Sequence, residues 1–197
     1  MKKVFGGLLV FVCVCLPVSG FAADGKNYAS FIPGIGVSPD ATAVLLMGEY
    51  ERQLAPHLSI NGRLASVSYD YDDGDYEEDG DGTGLEAGVR FYPKSQNMTG
   101  FYVGANIGLW SSDWDFTEDK GTAFQRSGSG DSDAINVNAT AGFKFPLGQA
   151  VYLQPAAVLG NFFSVDDSCT YNDGTTCDNE AELGFYLVAA CGVGFSF

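Results

Sequence analysis

The sequence predicts an all-β protein whose mature part closes into an eight-stranded antiparallel up-and-down transmembrane β-barrel. Three observations predict this fold. The chain begins with an apolar segment that has the features of an export signal, eight later segments alternate apolar and polar residues with a period of two, and short and long connections follow one another between those segments.

The first 22 residues are expected to be a signal peptide. Lys2 and Lys3 form a short positive start, and residues 5–18 are a nearly unbroken apolar run. This run is too short for a membrane anchor, because a spanning helix needs about 20 apolar residues. Small residues precede the expected cleavage point after Ala22, with Ala23 as the near alternative. We therefore expect Sec-type export and a single barrel domain over residues 23–197.

Cleavage leaves eight basic and 25 acidic residues, hence a net charge of −17 on the mature chain. A surface with this charge repels nucleic acid and attracts cations. The sequence therefore predicts no nucleic-acid partner.

The eight alternating segments are the predicted strands. In the clearest of them, Ile135, Val137 and Phe143 share one face with other apolar residues, and polar or small residues occupy the opposite face. Pro33 and Pro155 fall inside two segments and predict bulges or strand-end irregularities, because proline cannot donate to a ladder. The segments are residues 28–36, 42–52, 58–69, 83–92, 100–110, 134–145, 150–163 and 185–197.

The connections predict an orientation. Three are short and three are long, in alternation, and only residues 37–41 break the pattern on the long side. Bacterial outer-membrane barrels have short turns in the periplasm and long loops outside. The three long loops hold 19 of the 25 acidic residues, which predicts a strongly acidic cell-surface rim. The short connections are residues 53–57, 94–99 and 146–149, and the long ones are residues 70–82, 111–133 and 164–180.

A secreted β-sandwich or a lipocalin-like barrel is the alternative fold, since its strands would also alternate. The non-lipid face here is rich in glycine, which suits a narrow lumen better than a solvent face. Aromatic residues near strand ends favour a membrane–water boundary. These pairs are Phe91 and Tyr92, Phe101 and Tyr102, Phe143 and Phe145, Phe162 and Phe163, and Phe195 and Phe197.

The whole mature chain resembles the eight-stranded outer-membrane β-barrels of the OmpA transmembrane-domain and OmpX type, in the broad outer-membrane β-barrel domain family. The most specific part is the chain end, where alternating apolar residues lead through Phe195 to a terminal Phe197. This pattern resembles the C-terminal signal that barrel-assembly machinery recognises. The resemblance implies location in the bacterial outer membrane, contact with its lipid and lipopolysaccharide, and a monomer.

Six charged residues are predicted to point into the lumen, three acidic and three basic. One interpretation is a gated ion path, and the other is a salt-bridged plug that fills the barrel. The plug is favoured, because an eight-stranded barrel is barely wide enough for its own side chains and balanced charges satisfy one another when buried. The six are Glu49, Glu51, Arg63, Glu86, Arg90 and Lys144.

The loop over residues 70–81 holds eight acids in twelve residues, and within it Asp75, Glu77, Asp79 and Asp81 are candidate ligands for Ca²⁺ or Mg²⁺. With Glu86, part of this set follows an EF-hand-like spacing, although the flanking helices are lacking. The alternative is a disordered, solvated acidic loop. No other cofactor is expected.

Two of the three cysteines of the mature chain, Cys169 and Cys177, lie in a polar stretch and are predicted to form a loop disulfide in an oxidising compartment. Free thiols or a metal pair are the alternatives. Cys191 lies in an apolar strand and is interpreted as packing surface.

The sequence favours a small surface barrel with a structural or interaction role: envelope integrity, adhesion, or contact with cations or an unknown surface ligand through the acidic loops. A narrow channel is the first alternative. An enzyme that acts on envelope lipid is the second, and it is disfavoured. Barrel enzymes of this size use a histidine near the outer rim, whereas the only histidine here, His57, lies in a predicted periplasmic turn.

Overall fold

A computed structural model describes residues 27–37, 41–95, 97–177 and 184–197 of the chain. The expected signal peptide and its cleavage site lie outside these residues and stay a prediction. Within the described ranges, no helix is long and apolar enough to cross a bilayer.

Eight antiparallel strands close into a barrel in the order of the sequence, as predicted. Each strand pairs with its neighbours along the chain, and β1 pairs with β8 to complete the ring. The strands are β1 (Asn27–Val37), β2 (Ala41–Ala55), β3 (Leu58–Asp72), β4 (Glu77–Phe91), β5 (Gly100–Glu118), β6 (Arg126–Pro146), β7 (Val151–Tyr171) and β8 (Phe185–Ser196).

The two ends of the barrel domain meet at the seam. The amide of Asn27 donates to the carbonyl of Phe197 at 3.2 Å, and the amide of Phe197 donates back to Asn27 at 3.0 Å. Phe195 pairs with Ala29 on β1 and with Val151 on β7. The terminal aromatic pair therefore lies where the last strand closes the ring.

The outer surface carries an apolar belt. On β5 the outward residues from Phe101 to Leu109 are all apolar and exposed, and the next outward residue, Ser111, is polar. A tilted strand needs about 9–11 residues to cross the hydrocarbon core, which matches this run. Apolar and polar or small residues therefore alternate along the strand as predicted, with the apolar face on the outside of the barrel.

The strands are longer than predicted at the end opposite the short turns. Residues 70–72, 77–82, 111–118, 126–133 and 164–171 belong to strands, so the prediction of long irregular loops there was wrong. The connections that remain include residues 73–76 and 119–125. Because alternation continues past the apolar belt with polar residues on both faces, the hydropathy contrast that marks a half-buried strand is lost there.

The two predicted irregularities are interruptions of strand pairing and not bulges. The pairing of β1 with β8 is interrupted at Pro33 and that of β6 with β7 at Pro155, while the register on either side of each proline is unchanged. A missing N–H removes one ladder bond without inserting a residue. Register shifts that the sequence did not predict occur between Gln53 and Ala55 and opposite Asp133.

Candidate functional site: a filled lumen and an acidic outer wall

The short-turn end of the lumen is closed by a tyrosine layer, which consists of Tyr28, Tyr92, Tyr102 and Tyr152 with Met98. Tyr92 and Tyr102 are fully buried, so their predicted place at the membrane boundary was wrong. Both rings face inward, as does that of Phe162. Strand parity alone would have identified them, because Tyr102 and Phe162 occupy even, inward positions of their strands and Tyr92 continues the parity of β4 one residue beyond its end.

Above the tyrosines lies the ionic plug, formed by the six charged residues that the sequence places in the lumen. Glu51 is its lower centre. Its carboxylate accepts from Lys144 Nζ at 2.5 Å, from Arg90 Nη1 at 2.6 Å and from Tyr92 Oη at 2.7 Å, and also from the Ser59 hydroxyl. Lys144 is fully buried, and its ammonium lies 4.1 Å from the ring centroid of Tyr28.

Glu49 is the upper centre of the ionic plug. Its carboxylate accepts from Arg63 Nε at 2.7 Å and from Arg90 Nη1 at 2.7 Å, and a second Arg90 nitrogen contacts it as well. Arg90 therefore contacts both Glu49 and Glu51. These three side chains are almost completely buried, so each charge is balanced by protein partners and not by water.

Glu86 completes the ionic plug on the β4 side. Arg63 Nη1 reaches it at 3.4 Å, Trp110 Nε1 at 3.2 Å and Asn138 Nδ2 at 3.2 Å. Asn138 belongs to a chain of buried amides that the sequence interpretation missed. Three amide–amide hydrogen bonds connect its members across the lumen: Asn61 to Asn106, Asn106 to Asn138, and Asn138 to Asn136.

Two apolar layers continue the filling toward the far end. The first includes Ile32, Leu45, Met47, Val158 and Val188. The second, the aromatic cap, lies in the part of the barrel beyond the apolar belt. It consists of Trp114, Phe116 and Cys169, with Tyr69, Tyr76, Tyr171 and Cys177 packed against them.

Seven inward aromatic rings lie across the glycine that is their direct partner on the neighbouring strand. A Cβ atom built on any of these glycines would lie between 2.3 and 2.7 Å from the ring, closer than atoms can approach. Glycine on the inner face therefore makes room for the rings that fill the lumen. The pairs are Tyr69 on Gly80, Trp110 on Gly84, Phe116 on Gly128, Trp114 on Gly130, Tyr102 on Gly142, Tyr186 on Gly160 and Tyr152 on Gly194.

The outer face of the extended strands carries an acidic wall of ten exposed carboxylates. It begins where the apolar belt ends and spans β3 to β7. These acids were predicted to lie in loops, but they lie in register on a continuous sheet. The wall consists of Asp70, Asp72, Glu77, Asp79, Asp81, Asp113, Asp115, Asp131, Asp133 and Asp166.

Acid faces acid across the strands of the wall. Six direct cross-strand pairs join two carboxylates each. Like charges directly opposite each other destabilise a sheet. The pairs are Asp70 with Asp79, Asp72 with Glu77, Asp79 with Asp115, Asp81 with Asp113, Asp113 with Asp131, and Asp133 with Asp166.

Lys120 offsets part of this charge at the tip of the wall. Its ammonium lies 2.7 Å from Glu77 and 3.3 Å from Asp72, and its amide donates to the carbonyl of Asp75 at 3.1 Å. The pKa of Lys120 is raised, chiefly by its hydrogen bond to Glu77. The pKa of Asp72 is lowered, chiefly by the amide of Gly74 and then by Lys120.

The four acids proposed as metal ligands are not gathered into one compact group. Glu77, Asp79 and Asp81 face outward at alternate positions of β4, about 7 Å apart along the strand. Glu86 faces the lumen within the ionic plug, so an EF-hand arrangement is not formed. Among the described residues, no group of three or more histidine, cysteine or acidic side chains is placed to hold a metal ion.

The predicted disulfide between Cys169 and Cys177 is confirmed, with Cα atoms 5.3 Å apart. Its setting differs from the expected polar loop, because Cys169 is buried against the rings of the aromatic cap. The amide of Cys177 donates to the carbonyl of Cys169 at 3.2 Å, which closes a small hairpin beyond β7. Cys191 is free and faces outward within the apolar belt.

His57 lies in the tight turn between β2 and β3, at the opposite end from the acidic wall. Its Nδ1 is 2.7 Å from the carbonyl oxygen of Tyr92, and its backbone has a φ of 70°. The imidazole therefore ties two short turns together. It is placed far from the outer rim, where a lipid-modifying histidine would be expected.

Several solved structures are similar to this barrel. A major outer membrane protein of Thermus thermophilus has a TM-score of 0.54 at 16% identity, with 87% of this chain and 99% of that chain covered. Ail, the attachment invasion locus protein of Yersinia pestis, has a TM-score of 0.52 at 10% identity over 87% and 99% of the two chains. This chain has the fold of a small outer-membrane β-barrel.

The outer membrane protein OprG of Pseudomonas aeruginosa shows the same likeness, with a TM-score of 0.52 at 12% identity over 87% of this chain and 96% of that one. Searches against family models and curated proteins found no match. At identities this low the structural likeness establishes the outer-membrane barrel fold alone, and proteins with this fold can differ in function.

Proposed function

We propose that the protein is a non-conducting barrel of the bacterial outer membrane. In this proposal it contributes to envelope integrity and contacts cations or cationic ligands through the acidic wall. The single observation that carries the proposal is the position of the wall. Its carboxylates begin where the apolar belt ends, at the depth of the outer-leaflet headgroups if the short turns face the periplasm.

Divalent cations are the proposed partners of the wall. Paired carboxylates repel each other, and hard cations such as Ca²⁺ or Mg²⁺ relieve this repulsion. The same cations bind phosphate, so they can bridge the wall to the phosphates of lipopolysaccharide. Because the carboxylates are spread over five strands, we propose several shared bridging ions rather than one caged ion.

The negative charge of the acidic wall argues against a polyanionic ligand. A structure of Ail similar to this chain contains the heparin analogue sucrose octasulfate. The acidic wall would repel such a polyanion. Any protein or small-molecule ligand proposed for this wall is therefore cationic.

The proposed cation bridge is tested with two variants of equal charge. In the wall variant, asparagine replaces Asp79, Asp81, Asp113 and Asp115. In the turn variant, asparagine replaces Asp73, Asp75, Asp119 and Asp173. Each is reconstituted with lipopolysaccharide, and thermal unfolding is followed with and without Mg²⁺.

We expect Mg²⁺ to raise the unfolding temperature of the parent and of the turn variant, but not of the wall variant. An equal rise in all three proteins would contradict the bridge, because the Mg²⁺ effect would then not require the carboxylates of the wall. An equal loss in both variants would assign the effect to net charge instead of the wall.

The channel is the alternative function, and the ionic plug argues against it. Glu49, Glu51 and Arg90 occupy the lumen between the tyrosine layer and the first apolar layer. Single-channel recording in planar bilayers tests this. We expect no stable conductance from the parent protein, and steady openings that change when Arg90 is neutralised would overturn the plug.

Export, assembly and oligomeric state complete the proposal. We propose Sec-type export, recognition of Phe195 and Phe197 by the barrel-assembly machinery, and a monomer in the membrane. The position of both aromatics at the ring-closing strand supports the assembly role. We expect no catalytic activity, and unchanged lipid A after overexpression would agree with that expectation.

A further inference from the structure

A surface pocket of about 480 Å³ opens on the outer face at the short-turn end of the barrel. The turn between β4 and β5 supplies its polar side, with Lys94, Ser95 and Thr99. Phe101 of β5 and Phe143 of β6 supply its apolar side. The pocket is therefore amphipathic, with a basic group next to two aromatic rings.

The two sides of the pocket are held in place by local structure. The hydroxyls of Ser95 and Thr99 lie 3.1 Å apart, and Ser95 Oγ accepts from the amide of Thr99 at 3.2 Å. Phe101 and Phe143 are direct cross-strand partners, and Phe143 stacks on Phe145 with ring centroids 4.1 Å apart. Because Phe101 is itself the first outward residue of the apolar belt on β5, the aromatic side of the pocket is continuous with the belt.

Among the described residues, Lys94 is one of two exposed cations at this end. Of the basic residues in the described ranges, three are buried in the ionic plug, and Lys120 and Arg126 contact acids at the opposite end. Arg52 and Lys94 remain, both exposed and without a salt bridge to any described residue.

The exposed acidic side chains of the described residues lie at the other end of the barrel from Arg52 and Lys94. Apart from Glu49, Glu51 and Glu86 in the plug, every side-chain carboxylate of the described residues lies at the acidic end of the barrel. Arg52 and Lys94 therefore lie on a rim with no exposed acidic side chain among the described residues. An anion that the acidic wall repels meets two exposed cationic side chains at this end.

We infer that this pocket binds one anionic phospholipid of the periplasmic leaflet. The phosphate lies at the Lys94 ammonium and the turn hydroxyls, and an acyl chain lies along Phe101 and Phe143. The assignment of the leaflet rests on the proposed orientation of the barrel, with short turns in the periplasm. Lipid phosphate fits better than free phosphate, because the apolar half of the pocket opens into the belt.

The experiment measures phosphatidylglycerol binding to the refolded full barrel in zwitterionic detergent micelles by native mass spectrometry. We expect one saturable phosphatidylglycerol per barrel. The replacement Lys94→Gln should weaken phosphatidylglycerol binding about fivefold. This factor corresponds to about 1 kcal/mol, the contribution of one cation at an anionic lipid surface. Lys94→Arg should retain binding.

Arg52→Gln is the matched control, since among the described residues it removes the other exposed cation of the same rim, and Arg52 does not line the pocket. Equal weakening by Arg52→Gln and Lys94→Gln would overturn the pocket in favour of diffuse attraction. Phe143→Ala should also weaken phosphatidylglycerol binding. Glycerol 3-phosphate should not compete, and full competition by it would show a phosphate site without a lipid requirement.

Binding in micelles does not depend on which way the barrel faces. If Mg²⁺ fails to stabilise the parent protein while phosphatidylglycerol binding is intact, the proposed function is wrong and the pocket is unaffected. The reverse result would sink the pocket alone. Failure of one proposal is therefore distinguishable from failure of the other.

Discussion

The indole ring of Trp110 lies flat against Gly84, its direct cross-strand partner, so that a Cβ on Gly84 would lie 2.3 Å from the ring. The ring cannot retreat freely, since its Nε1 donates to Glu86 at 3.2 Å. Six other inward rings lie on a cross-strand glycine in the same way. These seven glycines leave the space that the aromatic side chains fill in the lumen.

Replacement Gly84→Ala is therefore expected to destabilise the barrel by about 2 kcal/mol, because an added methyl in a packed interior forces the ring to shift. Urea unfolding in lipid vesicles measures the change. Gly148→Ala is the control, since a Cβ there meets nothing within 4 Å. If both variants unfold at the urea concentration of the parent, the lumen is looser than the structure shows.

The ionic plug predicts a strong effect at Glu51. Glu51→Gln leaves Lys144 and Arg90 without their shared negative partner in the lumen, and it should cost about 3 kcal/mol. Adding Lys144→Gln restores the balance of charge. The double variant should therefore be more stable than the two single losses together predict, by about 1 kcal/mol or more.

Urea unfolding of the parent, the two single variants and the double variant measures this coupling. Strictly additive losses would mean that Glu51 and Lys144 do not stabilise each other, despite the 2.5 Å separation of their charged atoms.

The disulfide predicts protection of the hairpin beyond β7. Replacing Cys169 and Cys177 by serine removes a cross-link over a short loop, a loss of about 2.5 kcal/mol in the chain-entropy model. Added protease should then cut residues 172–176 faster on intact cells, as should the parent protein after treatment with a reductant. Cys191→Ser is the matched control and should be cut at the parental rate. Resistance of all these proteins would argue against surface exposure of the hairpin.

The contact of Lys120 with Asp72 predicts a dependence on pH at the tip of the wall. Because the pKa of Asp72 is lowered in the folded protein, its contribution to stability is present above the ordinary value of 3.8 and is lost as the pH falls through the folded pKa. The pKa of Lys120 is raised, so its own contribution disappears only in strongly alkaline solution.

Between these limits the contact should hold the two turns together. Amide hydrogen exchange at Lys120, whose amide donates to Asp75, should therefore accelerate below about pH 4 relative to the intrinsic rate. Lys120→Gln should exchange faster at neutral pH and lose the acid-dependent step. An acid-dependent step that persists in Lys120→Gln would assign it to other carboxylates.

Most of the fold could be predicted from the alternation of side chains along the strands. Because successive side chains alternate between lipid and lumen, the belt residues from Phe101 to Leu109 and the inward position of Arg90 and Lys144 could be predicted from spacing alone. Parity could not supply the register between strands. Which carboxylate meets which cation, such as Glu51 with Lys144 across 93 residues, follows only from the closed ring.

The acidic wall shows the same division between what the sequence predicts and what the tertiary structure determines. The sequence by itself determined how many acids lie between the apolar segments, and hence that one end of the barrel is strongly acidic. Only the tertiary structure decided that Asp79 faces both Asp70 and Asp115 on an extended sheet rather than in a loop. The physical reason is that strand pairing depends on backbone hydrogen bonds between distant segments, and polar residues on both faces conceal it from hydropathy.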